Sequence, residues 1–284
     1  MHFVGHNSGL SLSPMTKVLL QTSIPFIEDD WHIGRFSMLR DVIASMDGVA
    51  VTARDRATSG DDPVLSSLGD SDYDQLWLFG VDAGNGITAA DCAGITAFAE
   101  RGGAILAARD HQDCGSSICV LGGIGKAHFF HSKNVHPDPA RRQRDEPHNF
   151  GIDWPNYHSG NNGDYQRITP AGGVHPLLRR PDGSAIEWFP AHPHEGDVGI
   201  PPDETAQVIA TGTSKATGRS FNLIVTMNRA LAHSSFHHFC DYNWDVSAGA
   251  PSFVDEAPGH EIARSPERLN DVRTYVRNAV RWLR

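Results

Sequence analysis

Cysteine is scarce in this chain. Four of 284 residues, Cys92, Cys114, Cys119 and Cys240, are too few and too scattered for a disulfide framework, and no second close pair joins Cys114 and Cys119 to make a zinc knuckle. Reduced, buried thiols are expected at Cys92 and Cys119. Long apolar runs are missing as well, and nothing approaches the roughly 18 residues needed to cross a bilayer. Residues 1–15 lack the basic-then-apolar order of a secretory signal. They read as a loose extension ahead of the first strand, and the cytoplasm is the expected compartment. Basic residues are outnumbered, 24 Lys and Arg against 34 Asp and Glu, and the formal net charge of −10 argues against nucleic acid or an anionic membrane as partner. There is no phosphate cradle either. GVDAGNG at residues 80–86 has neither GxGxxG spacing nor a following Lys-Ser/Thr, so no nucleotide cofactor is expected.

What is present is enough apolar residue, 39% of the chain, for a sizeable core, and an unusual 16 histidines, most of them after residue 110. Continuous apolar strands are expected at 17–24, 48–56, 75–81 and 103–108, the pattern of a parallel sheet covered on both faces. Between them fall a helix at 35–45 and one opening at Thr88, where Thr88 and Asp91 form a capping-box pair. Ile87, Cys92, Ile95, Phe98 and Ala99 would supply that second helix's inner face. Alternation of this kind implies βαβ units. Strands return at 185–189, 207–211, 223–227 and 230–234, and a last helix follows Ser265 and Pro266 with Leu269, Val272, Val276, Ala279, Val280 and Leu283 in helical register. Residues 122–173 are rich in Gly, Asn, Asp, Pro and His and too long for an ordinary connection. The expected organisation is an N-terminal extension at 1–15, then one α/β domain over 16–284, with a mostly parallel sheet and a large irregular insertion at about 122–173.

Ligands of open α/β sheets bind beyond the carboxyl ends of the strands. Three polar clusters are expected at such ends or near them. The first is Arg109, Asp110, His111, Asp113 and Cys114, where Cys114 is a candidate nucleophile and Asp110 and His111 are acid/base candidates. The second is HPHEG at 192–196. His192 and His194 are two apart and face the same way in an extended segment, a spacing that suits zinc or another first-row metal, with Glu195 as ligand or base. The third runs from His233 through His237 and His238 to Asp241, with His233, His237 and Asp241 on one side. A fourth segment, 154–165, carries Trp154, Asn156, Tyr157 and Asn161, amides and rings of the kind that hold a polyhydroxylated ligand, or an ordinary Gly/Asn turn.

KVLLQTS at 17–23, YDQLWLFG at 73–80, a helix ending in ERGGAILAARD at 100–110, GVHPLL at 173–178 and RALAHSSFHH at 229–238 together resemble the trehalose-utilisation (ThuA-like) family, a branch of the class I glutamine amidotransferase-like superfamily. The resemblance spans roughly residues 17–240. It implies a flavodoxin-like three-layer sandwich and activity in sugar metabolism, including work on 3-keto sugars, with a divalent metal in some members. The chain departs from the amidotransferases where their Gly-x-Cys-x-Gly elbow would stand: the strand ends Ala-Arg-Asp-His, and Cys114 comes later.

The expected function is an enzyme acting on a sugar or polyol derivative by metal-assisted or acid/base chemistry, of hydrolase, lyase or isomerase type. His111, His192, His194, His233 and His237 would hold a divalent metal, Asp110, His111, Cys114, Glu195 and His237 would be catalytic, and Arg109, Trp154, Asn156, Tyr157, Asn161 and Asp241 would bind substrate. The expected partner is a small sugar-like molecule, with a homo-oligomer compatible with such a sheet. Two alternatives stand beside this reading: a Cys114 hydrolase or amidotransferase-like enzyme with His237 or His111 as base, and a non-catalytic ligand-binding module.

Overall fold

The computed structural model describes residues 15–121, 123–145, 151–202 and 204–284; residues 1–14 of the expected extension and the side chain of Cys119 lie outside the described residues. The strands are β1 (Thr16–Thr22), β2 (Val49–Arg54), β3 (Gln75–Phe79), β4 (Ala104–Ala108), β5 (His128–Phe129), β6 (Tyr165–Arg167), β7 (Thr169–Pro170), β8 (Trp188–Pro190), β9 (Asp197–Val198), β10 (Ala206–Thr213), β11 (Ser220–Met227) and β12 (Ala230–His233). The α-helices are α1 (Ser37–Ala44), α2 (Ala89–Glu100), α3 (Asp241–Trp244), α4 (Glu261–Arg264) and α5 (Leu269–Trp282).

Eight strands form one sheet in the order β2-β1-β3-β4-β12-β11-β10-β7. The first five are mutually parallel, and β11, β10 and β7 are added through successive antiparallel pairings. The parallel part has the flavodoxin-like order, in which a fifth strand follows 2-1-3-4. Every residue of β3 and β4 is buried, which is why their sequences are apolar without alternation. Helices α1 and α5 cover one face, with Leu39, Ile43, Val272, Val276 and Val280 in its core, and α2 covers the other with Ile95 and Phe98. The expected α/β sandwich is the observed one.

Local chemistry explains the main helices. Thr88 accepts from the Asp91 backbone N–H, and the Asp91 carboxylate accepts in return from the Thr88 N–H, so the capping box opens α2. Its inner face is narrower than the sequence suggests, because Cys92 is half-buried and Ala99 exposed. The helix expected at 35–45 begins as a 3-10 turn over Ile33–Phe36 before α1. Among its described residues the insertion forms short strands and 3-10 turns. β5 pairs with β9, β6 with β8, and β7 joins the sheet edge beside β10, so irregular chain continues past residue 173 as far as β9.

Register aligns the strand ends that matter. Thr22 lies beside Phe79, Phe79 beside Ala108, and Ala108 beside His233. The segments after β3, β4 and β12 therefore leave the sheet at one rim, where the loop after β1 also runs. No helix among the described residues is long and apolar enough to cross a membrane.

The β5–β9 ribbon buries Asp197 completely, and neither carboxylate oxygen has a hydrogen-bond partner among the described residues. Burial lifts its pKa from 3.8 to about 7, against the opposing charges of Arg141 and Arg109. Between those two values the folded chain holds a proton that the unfolded chain has released, so stability falls as pH rises through the window. Asp197→Asn removes the titrating group. The variant's stability relative to the parent is expected to grow by up to about 1.4 kcal/mol per pH unit across that range, measured by denaturant titration. A difference that stays flat with pH would contradict the assignment.

Candidate active site

Two glycines let the turns after β3 and β4 press together. A Cβ on Gly115, whose φ is +79°, would meet the Gly80 carbonyl oxygen at 2.3 Å, and one on Gly80 would meet the Gly115 Cα at 2.9 Å. This contact folds the segment after β4 back over the sheet rim. Arg109 turns to the far side and lies fully buried over the Phe130 ring, its guanidinium carbon 4.0 Å from the centroid. Asp110 turns the other way and is 5% exposed.

Three imidazoles surround the Asp110 carboxylate. His192 Nε2 lies 3.1 Å from Oδ1, His111 Nδ1 3.0 Å from Oδ2, and His237 Nε2 3.6 Å from Oδ2. The His192 and His237 rings stack with centroids 3.5 Å apart and planes 9° from parallel. Phe236 stacks on His237 at 4.3 Å, and Trp31 meets it edge-on at 4.7 Å. One ligating atom from each of Asp110, His192 and His237 falls within 4.8 Å of the others, and the same holds for Asp110, His111 and Cys114. The first set is buried; His111 and Cys114 are half-exposed and mark the open side.

Two asparagines fix the orientation of the stacked rings. The Asn243 side-chain N–H groups donate to the Ala191 carbonyl at 2.7 Å and to Asn162 Oδ1 at 2.9 Å, so its Oδ1 faces His237 Nδ1 at 3.0 Å. Asn162 Oδ1 also faces His192 Nδ1 at 3.0 Å. Both Nδ1 atoms must therefore carry a proton and donate, which turns both Nε2 atoms toward the carboxylate.

The electrostatics follow from this crowding. Burial works against an ionised Asp110, but the neighbouring charges of His111, His237 and His192 together hold its pKa well below the ordinary value. Burial also opposes charge on His111 and His237, yet Asp110 outweighs it, with Cys114 and Cys240 respectively, and raises each to about 10. His192 is driven well below its ordinary value by burial and by the charge of His237 stacked upon it. One of the stacked rings can be charged, but not both.

Several expected roles are corrected. His233 is the last residue of β12 and faces the α5 side, where Nε2 meets the Tyr275 hydroxyl at 2.7 Å, so it is a core residue away from the cluster. Glu195 is fully buried and accepts from Ser159, Ser234, Gln166 and His238, which leaves it no face for substrate or metal. Asp241 receives the Ser37 and Met38 backbone N–H groups at 3.0 and 2.8 Å and caps α1 instead of binding substrate. Arg109 is inaccessible under Phe130. Trp154 and Tyr157 are buried, with Tyr157 stacked on Phe221 at 4.6 Å, and Asn161 points to solvent. Asn156 holds His194 Nδ1 at 2.8 Å, and Glu256 holds its Nε2 at 2.7 Å, so both nitrogens of His194 are already engaged. Asp110, His111, Cys114, His192, His194 and His237 do come together, His194 being 5.5 Å ring to ring from His111. The roles of Asn162, Asn243, Glu256 and Trp31 were not marked in the sequence. Asparagine is an ordinary turn residue, and nothing in their spacing points to an imidazole.

The chain matches no protein-family model and no curated protein. Among solved structures it is similar to a protein described as ThuA-like from Parabacteroides merdae, at 13% identity over 87% of this chain and 96% of that one, with a TM-score of 0.47. It is also similar to the glutaminase domain of Trypanosoma brucei CTPS with bound acivicin, at 12% identity, 87% and 97% coverage and a TM-score of 0.43. A third is the mmIFT52 N-terminal domain, at 14% identity, 80% and 92% coverage and a TM-score of 0.43.

The four donors to Glu195 predict a structural role for it. Glu195→Ala should lower stability by about 3–5 kcal/mol, because it strands His238 and Gln166 in the interior. Urea denaturation checks this. A variant of unchanged stability would instead return Glu195 to the chemistry.

Proposed function

We propose that the protein is a divalent-metal-dependent enzyme acting on a small polar substrate, with Asp110, His192 and His237 as metal ligands and His111 as the acid/base group at the open side. The observation that carries this reading is the orientation of the two stacked rings. Asn162 and Asn243 commit both Nδ1 protons, so two Nε2 atoms face one carboxylate. Filling both Nε2 positions with protons would put two imidazolium rings 3.5 Å apart. Leaving one bare would set its lone pair against a carboxylate oxygen. A cation among the three atoms satisfies all of them, and two imidazoles with one carboxylate are a familiar donor set for first-row metals. An outer hydrogen-bond partner on each ligating imidazole is also what metal sites use to fix the ring.

The bound ion would supply Lewis acidity and a water acidic enough to ionise near neutral pH. The chain's own groups supply the rest. Phe236 and Trp31 wall off His237 from water. Asp110 orients His111, whose side chain is 23% exposed and is the ring a substrate meets on entry. From there it would take up or release a proton at the reacting oxygen or carbon. A sugar or polyol derivative, the substrate class implied by the resemblance, suits a centre that gathers oxygen ligands. Segment 154–165 would then act indirectly, since its Asn156 and Asn162 support imidazoles.

Elemental analysis of the full chain, purified without a histidine tag and dialysed against zinc or manganese, tests the reading. At least one equivalent should stay bound, His237→Ala should lose it, and Asn243→Ala should bind about 10–100-fold more weakly. Absence of bound metal in the parent protein would sink the proposal.

A second reading rests on a separate observation. Cys114 Sγ lies 3.9 Å from His111 Nε2, while Nδ1 of the same ring faces Asp110, so nucleophile, base and orienting group stand in a row. If this row acts by itself, iodoacetamide near neutral pH should modify Cys114 ahead of the other thiols in metal-free protein, and metal should leave turnover unchanged.

A further inference from the structure

The Asp110 carboxylate has donors on two sides. Oδ1 faces His192, and Oδ2 faces both His237 and His111. The metal reading above uses one group of these atoms. The other group, Asp110, His111 and Cys114, also offers three ligating atoms within 4.8 Å of one another, and it lies toward the open side. We propose that Asp110 is a bridging carboxylate and that the site takes two cations: an inner one held by His192 and His237, and an outer one held by His111 and Cys114. The proposal rests on the metal reading for its inner position and adds the outer one; with the outer cation bound, His111 is a ligand and no longer the acid/base group.

Three observations support the outer position. His111 Nδ1 is buried and sits 3.0 Å from Oδ2 of Asp110, as close as two ligands of one cation lie to each other. Next, the donor set is chemically distinct from the inner one. It joins a thiolate, an imidazole and a carboxylate, which suits zinc and neighbouring ions over magnesium or calcium. Finally, His111 and Cys114 are partly exposed where the inner ligands are buried, so the outer position is the one that solvent reaches.

Charge sharpens the picture. Two divalent cations bring four positive charges, and Asp110 with a Cys114 thiolate returns two negative ones. The thiol gives its proton to solvent as the outer cation binds. The remaining two positive charges call for an anionic ligand, so the pair favours a substrate that presents a deprotonated or carboxylate oxygen. Metal pairs that share a bridging ligand lie about 3.5–4 Å apart and clamp both oxygens of a displacement.

The test is cobalt and zinc stoichiometry on the full chain, read by elemental analysis after equilibrium dialysis, together with the near-ultraviolet thiolate-to-cobalt absorption. The parent protein should bind two equivalents and show the thiolate band. Cys114→Ser and His111→Gln should each bind one equivalent and lose the band; two variants guard against a folding defect in either. His192→Ala should keep the band. Zinc should also slow iodoacetamide modification of Cys114 at least about tenfold, since ligation withdraws the thiolate. One equivalent with no band in the parent protein would overturn the outer site and leave the inner one standing. Two equivalents in Cys114→Ser would also overturn it. No bound metal at all would remove both readings together.

Discussion

A carboxylate taken almost wholly out of water must be met by positive charge or by many donors, or it will not stay ionised. Asp110 meets that demand with three imidazoles from three separate stretches of chain. Much of the surrounding structure serves this meeting. Gly80 and Gly115 let two turns touch, so the segment after β4 folds back toward the rim. Glu195, tied to Ser159, Ser234, Gln166 and His238, anchors the 192–196 segment to β12 and the insertion. Asp241 links the turn that carries His237 to the start of α1. Each of these side chains has chemistry that invites a catalytic role, and each is used to hold another residue.

The protons of the cluster have few arrangements open to them. The stacked pair of His192 and His237 tolerates one charge, and the asparagines behind them remove the freedom to move protons from Nε2 to Nδ1. A pair of rings locked in this way is poorly suited to proton shuttling and well suited to ligation. His111 differs from both. It has no asparagine behind it, is partly exposed, and stands between Asp110 and Cys114.

The sheet was legible because strands buried on both faces leave uninterrupted apolar runs, and because Thr88 and Asp91 spell out a helix start. The rule that sites form beyond strand ends was enough to expect Asp110, His111 and His237 near one rim, where they do gather. The direction of individual side chains was not legible. His233 and His237 share a face in both regular conformations, but β12 stops at His233 and a 3-10 turn follows, so one ring enters the core and the other the cluster. His194 and Glu195 were assigned by type, and their actual bonds depend on partners 29 to 62 residues away. The amides of segment 154–165 suggested a sugar platform because an isolated stretch cannot reveal that Asn156 and Asn162 already have imidazoles to hold.

The most direct check on the account is anomalous diffraction from crystals of the full chain grown with zinc. A peak is expected in contact with Asp110, His192 Nε2 and His237 Nε2, at metal–ligand distances of about 2.0–2.2 Å. Density without any such peak, with both Nε2 atoms hydrogen-bonded to water or to protein, would contradict it.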